Sequence, residues 1–219
     1  MSLHVPSFLR THGAGALVVA LAFGTLTATG AVAAEQPAAW PLLVSEIAPD
    51  NAGTPDLVGG STGDQDQFEF FEITNLSSAP IDVRAGGYAL SYIYNATGSP
   101  TDVTAEKPLI VTEASPVIPA GASAVFWMQY TSGSTVDSTR FTDAQFRAHV
   151  GATDEVPLFH VTGQAGMSNT GTRGIRIARN GETVTWSSYT RDATDKGRST
   201  HFGVPTDASS RGALSLGDG

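Results

Sequence analysis

The sequence predicts an all-β protein, a two-layer antiparallel β-sandwich with one short surface helix. Short apolar runs of strand length alternate with turns rich in Gly, Pro and Asn, and a single stretch carries helix signals. Asn180-Gly181 lies between two such runs, and Asn-Gly is the strongest short hairpin signal because both residues accept the positive φ angles of a type I′ turn. Charged residues make up only 15% of the chain, which is low for a helical protein.

The organising stretch is residues 67–90, QFEFFEITNLSSAPIDVRAGGYAL, an aromatic run that stops at a turn and resumes as a second strand. Strand alternation places Glu69, Phe71 and Ile73 on one face and Glu72 on the other, with apolar residues on both. We therefore expect a central strand that is covered on both sides. Because Glu69 and Glu72 point to opposite faces, no acid–base pair is expected; one acid should be solvated and the other hydrogen-bonded to a neighbouring strand.

The other predicted strands cover residues 42–48, 88–94, 109–112, 122–130, 156–161, 173–179 and 182–189. Phe71, Ile73, Phe126 and Trp127 are expected to lie largely buried, and Phe126, Trp127 and Met128 in succession indicate that both faces of their strand are covered.

The helix is predicted at residues 142–150. Thr142 and Gln145 make a capping box, Phe146 and Val150 give an apolar stripe, and Gly151 ends it.

The N-terminal residues 1–34 read as a secretory signal peptide, in which Arg10 leads into an apolar run that ends in small residues. Residues 35–40 are expected to be a linker, 41–205 the domain, and 206–219 a C-terminal linker or tail. The protein is therefore expected to be secreted and extracellular; an uncleaved membrane anchor is the alternative for the first segment. The absence of Cys excludes disulfides and Cys-ligated zinc.

The charge balance disfavours nucleic acid as a partner. The formal net charge is −9, and removal of residues 1–34 takes away one Arg and no acid, which leaves −10. Such a surface repels phosphate backbones in general. A protein or a cell-envelope component is the partner that we expect instead, and the sequence does not indicate an oligomeric state.

The polar loop at residues 49–67 is the one candidate metal site. It carries Asp50, Asp56, Asp64 and Asp66 among glycines, and clustered carboxylates suit calcium, although the order does not match an EF-hand. A plain solvated loop is the alternative. No other cofactor is expected.

No catalytic motif is present. The chain lacks G-x-S-x-G, H-E-x-x-H and G-x-x-x-x-G-K, and the histidines beyond the signal, His149, His160 and His201, are scattered over three predicted elements. The arginines at 173, 176 and 179 are interpreted as edge charges that discourage aggregation.

Several of these stretches resemble a known family. LLVSEIAPD, FEFFEITN, IPAGASAVFW and MSNTGTRGIRIARNGE are similar to the bacterial form of the lamin-tail domain, of the type found N-terminal to secreted metallophosphoesterase or nuclease domains. The resemblance covers about residues 41–205 and implies an immunoglobulin-like β-sandwich. It also implies an accessory module without established catalytic residues, so no active site is carried over.

Three functions follow as expectations. The first is a secreted, non-catalytic module that binds, or that positions a partner domain at the cell envelope. The second is the N-terminal accessory part of a metallophosphoesterase or nuclease. The third is a carbohydrate-binding module that uses Tyr88, Tyr92 or Trp127 as an aromatic platform.

Overall fold

The all-β, sandwich-like fold is confirmed in the part of the chain that the structure describes. The computed structural model describes residues 40–52, 54–55, 62–63, 66–95, 102–191, 196–206 and 211–218. The predicted signal segment 1–34, the linker up to residue 39, Asp56 and Asp64 lie outside the described residues. Among those that are described, no helix has the length and apolar character needed to cross a membrane.

Sixteen strands and one α-helix are found in the described residues. The strands are β1 Leu42–Ala48, β2 Thr54–Pro55, β3 Thr62–Gly63, β4 Phe70–Asn75, β5 Ile81–Asp82, β6 Tyr88–Asn95, β7 Val103–Val111, β8 Val117–Ile118, β9 Ser123–Met128, β10 Thr131–Ser132, β11 Val136–Asp137, β12 Leu158–Thr162, β13 Gly171–Arg179, β14 Glu182–Arg191, β15 Thr200–Gly203 and β16 Leu214–Asp218. The helix, α1, spans Asp143–Val150, and a 3-10 turn at Ser138–Arg140 precedes it.

Ten strands form one folded-over sheet, in the order β14-β13-β6-β7-β12-β9-β4-β1-β15-β16. The sheet folds over at β7, a strand that the two layers share. Leu109 of β7 pairs with Leu90 of β6 in one layer, and Val111 of β7 pairs with Val161 of β12 in the other. At the open side, the hydroxyls of Thr185 and Ser187 in β14 donate to backbone carbonyls of β1, at 2.9 and 2.8 Å. The two layers thus nearly close into a barrel around one core.

One strand pair departs from the wholly antiparallel prediction. β9 and β12 run parallel, with Phe126 opposite Phe159. Parallel neighbours require a crossover connection, and the chain between these two strands contains α1. The helix packs over the outer face of the sheet, where Phe146 is fully buried.

The prediction that Phe71, Ile73, Phe126 and Trp127 lie buried is confirmed, and they occupy two separate cores. Phe71, Ile73 and Phe126 lie in the main core between the layers, whereas Trp127 lies on the opposite face of the sheet, stacked on Phe146 of α1 at 4.8 Å. The physical reason is strand alternation, since consecutive residues such as Phe126 and Trp127 must point to opposite faces. The prediction that both faces of β4 are covered is confirmed.

The helix and the hairpin follow their signals closely. The Thr142 side chain accepts from the Gln145 N–H, the Gln145 side chain accepts from the Thr142 N–H at 2.9 Å, and Gly151 ends the helix at φ 72°. Asn180 and Gly181 have φ angles of 52° and 83° and join β13 to β14. Local sequence therefore determines both features.

The facing of residues in β1 and the structure of the C-terminal segment both differ from the sequence prediction. Within β1 a register shift between Val44 and Glu46 puts Leu42, Val44 and Ile47 in the main core, where strict alternation predicts Leu43, Ser45 and Ile47 on one face. The predicted C-terminal linker or tail at 206–219 contains β16, which pairs with β15, and the described β-structure belongs to one compact unit, Pro37–Gly219.

Candidate functional site

The candidate site is a group of three carboxyl groups at the junction of β1 and β4, Asp50, Asp66 and Glu69, here called the acid cluster. β1 and β4 are antiparallel neighbours with Ala48 opposite Phe70, so residues just after β1 face residues just before β4. Asp50 is 2% exposed and Glu69 is fully buried. Carboxyl groups are almost never buried without compensation, so this grouping calls for a physical explanation.

Glu69 is the most enclosed member of the acid cluster. Its Oε1 accepts the Met167 N–H at 2.9 Å, whereas its Oε2 has no hydrogen-bond donor among the described residues. The nearby Tyr130 hydroxyl donates its single proton to the Asp66 backbone carbonyl at 2.9 Å. Burial raises the pKa of Glu69 well above its ordinary value, and the negative charge of Asp66 raises it further.

Asp66 is the partly exposed member of the acid cluster and accepts two long hydrogen bonds. Its Oδ1 accepts the Asn51 N–H and its Oδ2 accepts the Asn169 side-chain amide, both at 3.2 Å. Burial raises the pKa of Asp66 to about 6; the bonds from Asn51 and Asn169 oppose this shift, and Asp50 adds to it. The Asn169 side-chain carbonyl is itself buried and accepts no hydrogen bond from the described residues.

The segment that carries Asp66 and Glu69 is held by backbone and side-chain bonds. The Gln67 side chain donates to the Thr135 carbonyl at 2.7 Å and accepts the Asp137 N–H at 3.1 Å. The Gln67 carbonyl accepts the indole N–H of Trp127 at 2.9 Å, and the Phe68 N–H donates to the Asn51 side chain at 3.0 Å. These bonds give the acid cluster a rigid support.

The loop at residues 163–170, between β12 and β13, carries Asn169 and is hydrogen-bonded to tyrosines of β6 and β14. The Ser168 N–H donates to the Tyr92 hydroxyl at 2.7 Å, and the Tyr189 hydroxyl donates to the Ser168 carbonyl at 3.1 Å. Tyr92 and Tyr189 are both buried, so the loop is fixed from within the main core. Asn169 is thereby placed over Asp66 although 103 residues separate them.

A cleft of about 440 Å³ lies beside the acid cluster and reaches Asp50. It is bounded by Glu46 of β1, His149 of α1 and the 197–199 segment. His149 packs against the Phe68 ring at 5.0 Å between centroids, and its burial lowers the pKa of the imidazole. Of the acid cluster, Asp50 lines this cleft.

Two of the four Asp residues in the predicted calcium loop belong to the acid cluster. Asp50 and Asp66 are brought together, and Asp56 and Asp64 lie outside the described residues. Glu69 and Asn169 were missed, because Glu69 lies in an aromatic run and Asn169 joins only through the tertiary fold. As they stand, no three Asp, Glu or His side chains in the described ranges converge enough to hold a metal ion.

The expected roles of Glu69 and Glu72 are only half correct. Glu72 accepts the Ser45 hydroxyl of neighbouring β1 at 2.6 Å, as expected of one of the two acids. The other acid, Glu69, is not solvated but fully buried. Residues that precede a central strand can be covered by loops that strand alternation does not reveal.

Other polar residues singled out in the sequence serve the fold. The His160 ring lies between Glu113, at 2.7 Å from Nδ1, and Asp143, at 3.0 Å from Nε2, and thereby links β12 to the start of α1. The three arginines are not edge charges, because β13 lies between β14 and β6. Arg173 lies over the Tyr94 ring, and Arg179 lies over the Tyr88 ring.

The proposed aromatic platform is largely enclosed. Tyr92 and Trp127 are fully buried, the first in the main core and the second under α1. Tyr88 is half-buried beneath Arg179. Neither of the two enclosed rings offers a face on which a sugar could stack.

Comparison with known protein families, curated proteins and solved structures finds no match for this chain. The lamin-tail resemblance therefore stays a prediction from the residues quoted above.

Proposed function

We propose that this chain is a secreted, non-catalytic β-sandwich module that binds a partner at the cell envelope by adding a strand to the edge of its sheet. The observation that carries the proposal is the exposed apolar edge at β16. Leu214 and Leu216 are 45% and 63% exposed, in a strand that stands last in the ten-stranded order and pairs with β15.

An edge strand presents backbone N–H and C=O groups that an extended segment of another chain can satisfy. The chain segment that leads into β16 is firmly anchored, since the Trp186 N–H donates to the Arg211 carbonyl and the Ala213 N–H donates to the Trp186 carbonyl, at 3.1 and 2.8 Å. The edge is therefore held in place rather than free to fold back. Exposed leucines beside it would contact apolar side chains of the added strand.

Export and a bacterial setting rest on the signal-like residues 1–34 and on the lamin-tail resemblance. That resemblance also implies an accessory position beside a metallophosphoesterase or nuclease domain, which would make the bound partner a segment of such an enzyme or of the envelope. An enzyme segment and an envelope component are covered by the same proposal. With either partner, this module binds and another chain or domain carries out the chemistry.

Retention of the purified protein on the envelope fraction of its producing bacterium tests the proposal. Leu216→Lys should reduce retention strongly, because a charge at the edge opposes strand pairing. Val117→Lys is the matched control, since Val117 is 38% exposed on β8, away from this edge. Equal retention of both variants and the parent would contradict the role of β16.

A further inference from the structure

We infer that the acid cluster and the side-chain carbonyl of Asn169 form a binding site for Ca²⁺. All the groups offered are oxygens, and Ca²⁺ takes six to eight oxygen ligands from carboxylates, amide carbonyls and water in flexible geometry. The inference does not depend on partner binding at β16.

Two buried acceptors without donors point to a ligand. Glu69 Oε2 and Asn169 Oδ1 accept no hydrogen bond from the described residues, and Glu69 is fully buried. An unsatisfied buried acceptor carries its full desolvation cost, and more when it is charged. In the site that we infer, a cation supplies the partner that each of these atoms lacks.

The electrostatic surroundings favour a cation over any anion. The charges that act on Glu69 come first from Asp66 and then from Asp50, both of the same sign as its own. Like charges held together in a buried place repel unless a proton or a cation lies among them. The Asp50 side of the acid cluster opens on the cleft, which gives an ion a path of entry.

Binding requires the carboxyl groups to move closer together. The described carboxyl groups do not yet converge on one point, but the two hydrogen bonds of Asp66 are 3.2 Å long, at the weak end of the normal range. The Asp66 carboxylate can therefore exchange them for an ion. Glu69 Oε1 accepts one backbone donor, the Met167 N–H, and the neighbouring Tyr130 hydroxyl also acts on this carboxyl group.

Calorimetric titration of the purified, chelator-treated protein with CaCl₂, paired with melting curves in CaCl₂ and in EGTA, tests the inference. Calcium should release or absorb heat and raise the melting temperature, because a ligand that binds only the native state stabilises it. Terbium, which emits when a nearby Tyr or Trp transfers excitation to it, should luminesce and be displaced by calcium, since Tyr130 adjoins the acid cluster.

The Asp66→Asn variant tests whether Asp66 is a metal ligand or an acid with a structural role only. The variant should melt higher than the parent in EGTA, because it removes a repelled buried charge, and should weaken calcium binding at least about tenfold. Glu155→Gln, at an exposed acid between α1 and β12, should leave both values unchanged.

If Asp66→Asn does not fold, Glu69→Gln replaces it with the same two expectations. No heat, an unchanged melting temperature and no displaceable terbium emission would overturn the inference. That result would mean that protons, and not a cation, neutralise these carboxyl groups.

Discussion

Phe126 and Trp127 are consecutive residues of β9, yet they belong to two different cores. Phe126 stacks on Phe71 of β4 at 5.2 Å between the two sheet layers, and Trp127 stacks on Phe146 of α1 at 4.8 Å on the outside. The β4–β9 pair is thus covered on both faces. The acid cluster lies where the chain enters β4. There the indole N–H of Trp127 donates to the Gln67 carbonyl.

Phe71→Ala should destabilise the protein by about 3 to 5 kcal/mol, as truncations of buried aromatic residues do. Total stability is of the order of 5 to 15 kcal/mol and no disulfide contributes to it, so this loss could unfold the chain. Glu155→Ala, at an exposed position, should cost within about 0.5 kcal/mol. Equal urea midpoints for the two variants would show that β4 is not central.

The two cores should respond independently to mutation. Phe71→Leu and Phe146→Leu lie on opposite faces of the sheet, so their stability effects should add within about 0.5 kcal/mol. Phe71→Leu and Phe126→Leu, whose rings stack, should show a larger interaction energy. A double-mutant cycle in urea measures both, and strong coupling of Phe71 to Phe146 would mean that one core extends through the sheet.

Thr142→Ala should reduce stability by about 1 kcal/mol, because it removes the side chain that accepts from the Gln145 N–H at the start of α1. Thr153→Ala is the matched control, as an exposed Thr just beyond the helix. Denaturant unfolding of both variants checks the prediction. A loss no greater than that of the control would mean that packing of Phe146 alone holds the helix.

Local signals account for what the sequence predicts well. Thr142 with Gln145 and Asn180 with Gly181 act within four residues, and the structure confirms the helix and the hairpin. The register shift in β1 has no local sequence signal, and the Ser187 hydroxyl that donates to Val44 beside it comes from a strand more than 140 residues away. Asn169 likewise joins the acid cluster through tertiary contacts.

The stability of the protein should fall in acid partly through His149. Partial burial beside the Phe68 ring lowers the pKa of this imidazole below its ordinary 6.5, so the folded state favours the neutral form. That contribution is complete above pH 6.5 and is lost as pH falls through 6.5 towards the lowered pKa. His149→Gln should therefore lose less stability than the parent between pH 8 and pH 5, measured by urea midpoints. Identical pH profiles would contradict the assigned burial.

Photo-crosslinking in the intact producing cell tests the proposed function most directly. A photoreactive phenylalanine analogue at position 216, on the exposed edge of β16, should crosslink to one discrete partner, and the adduct should map to an extended apolar segment of that partner. The same analogue at Val117 should give no such adduct. Crosslinking from position 117 with none from 216, or phosphodiester turnover by the purified chain with manganese or zinc, would contradict a binding module that works through β16.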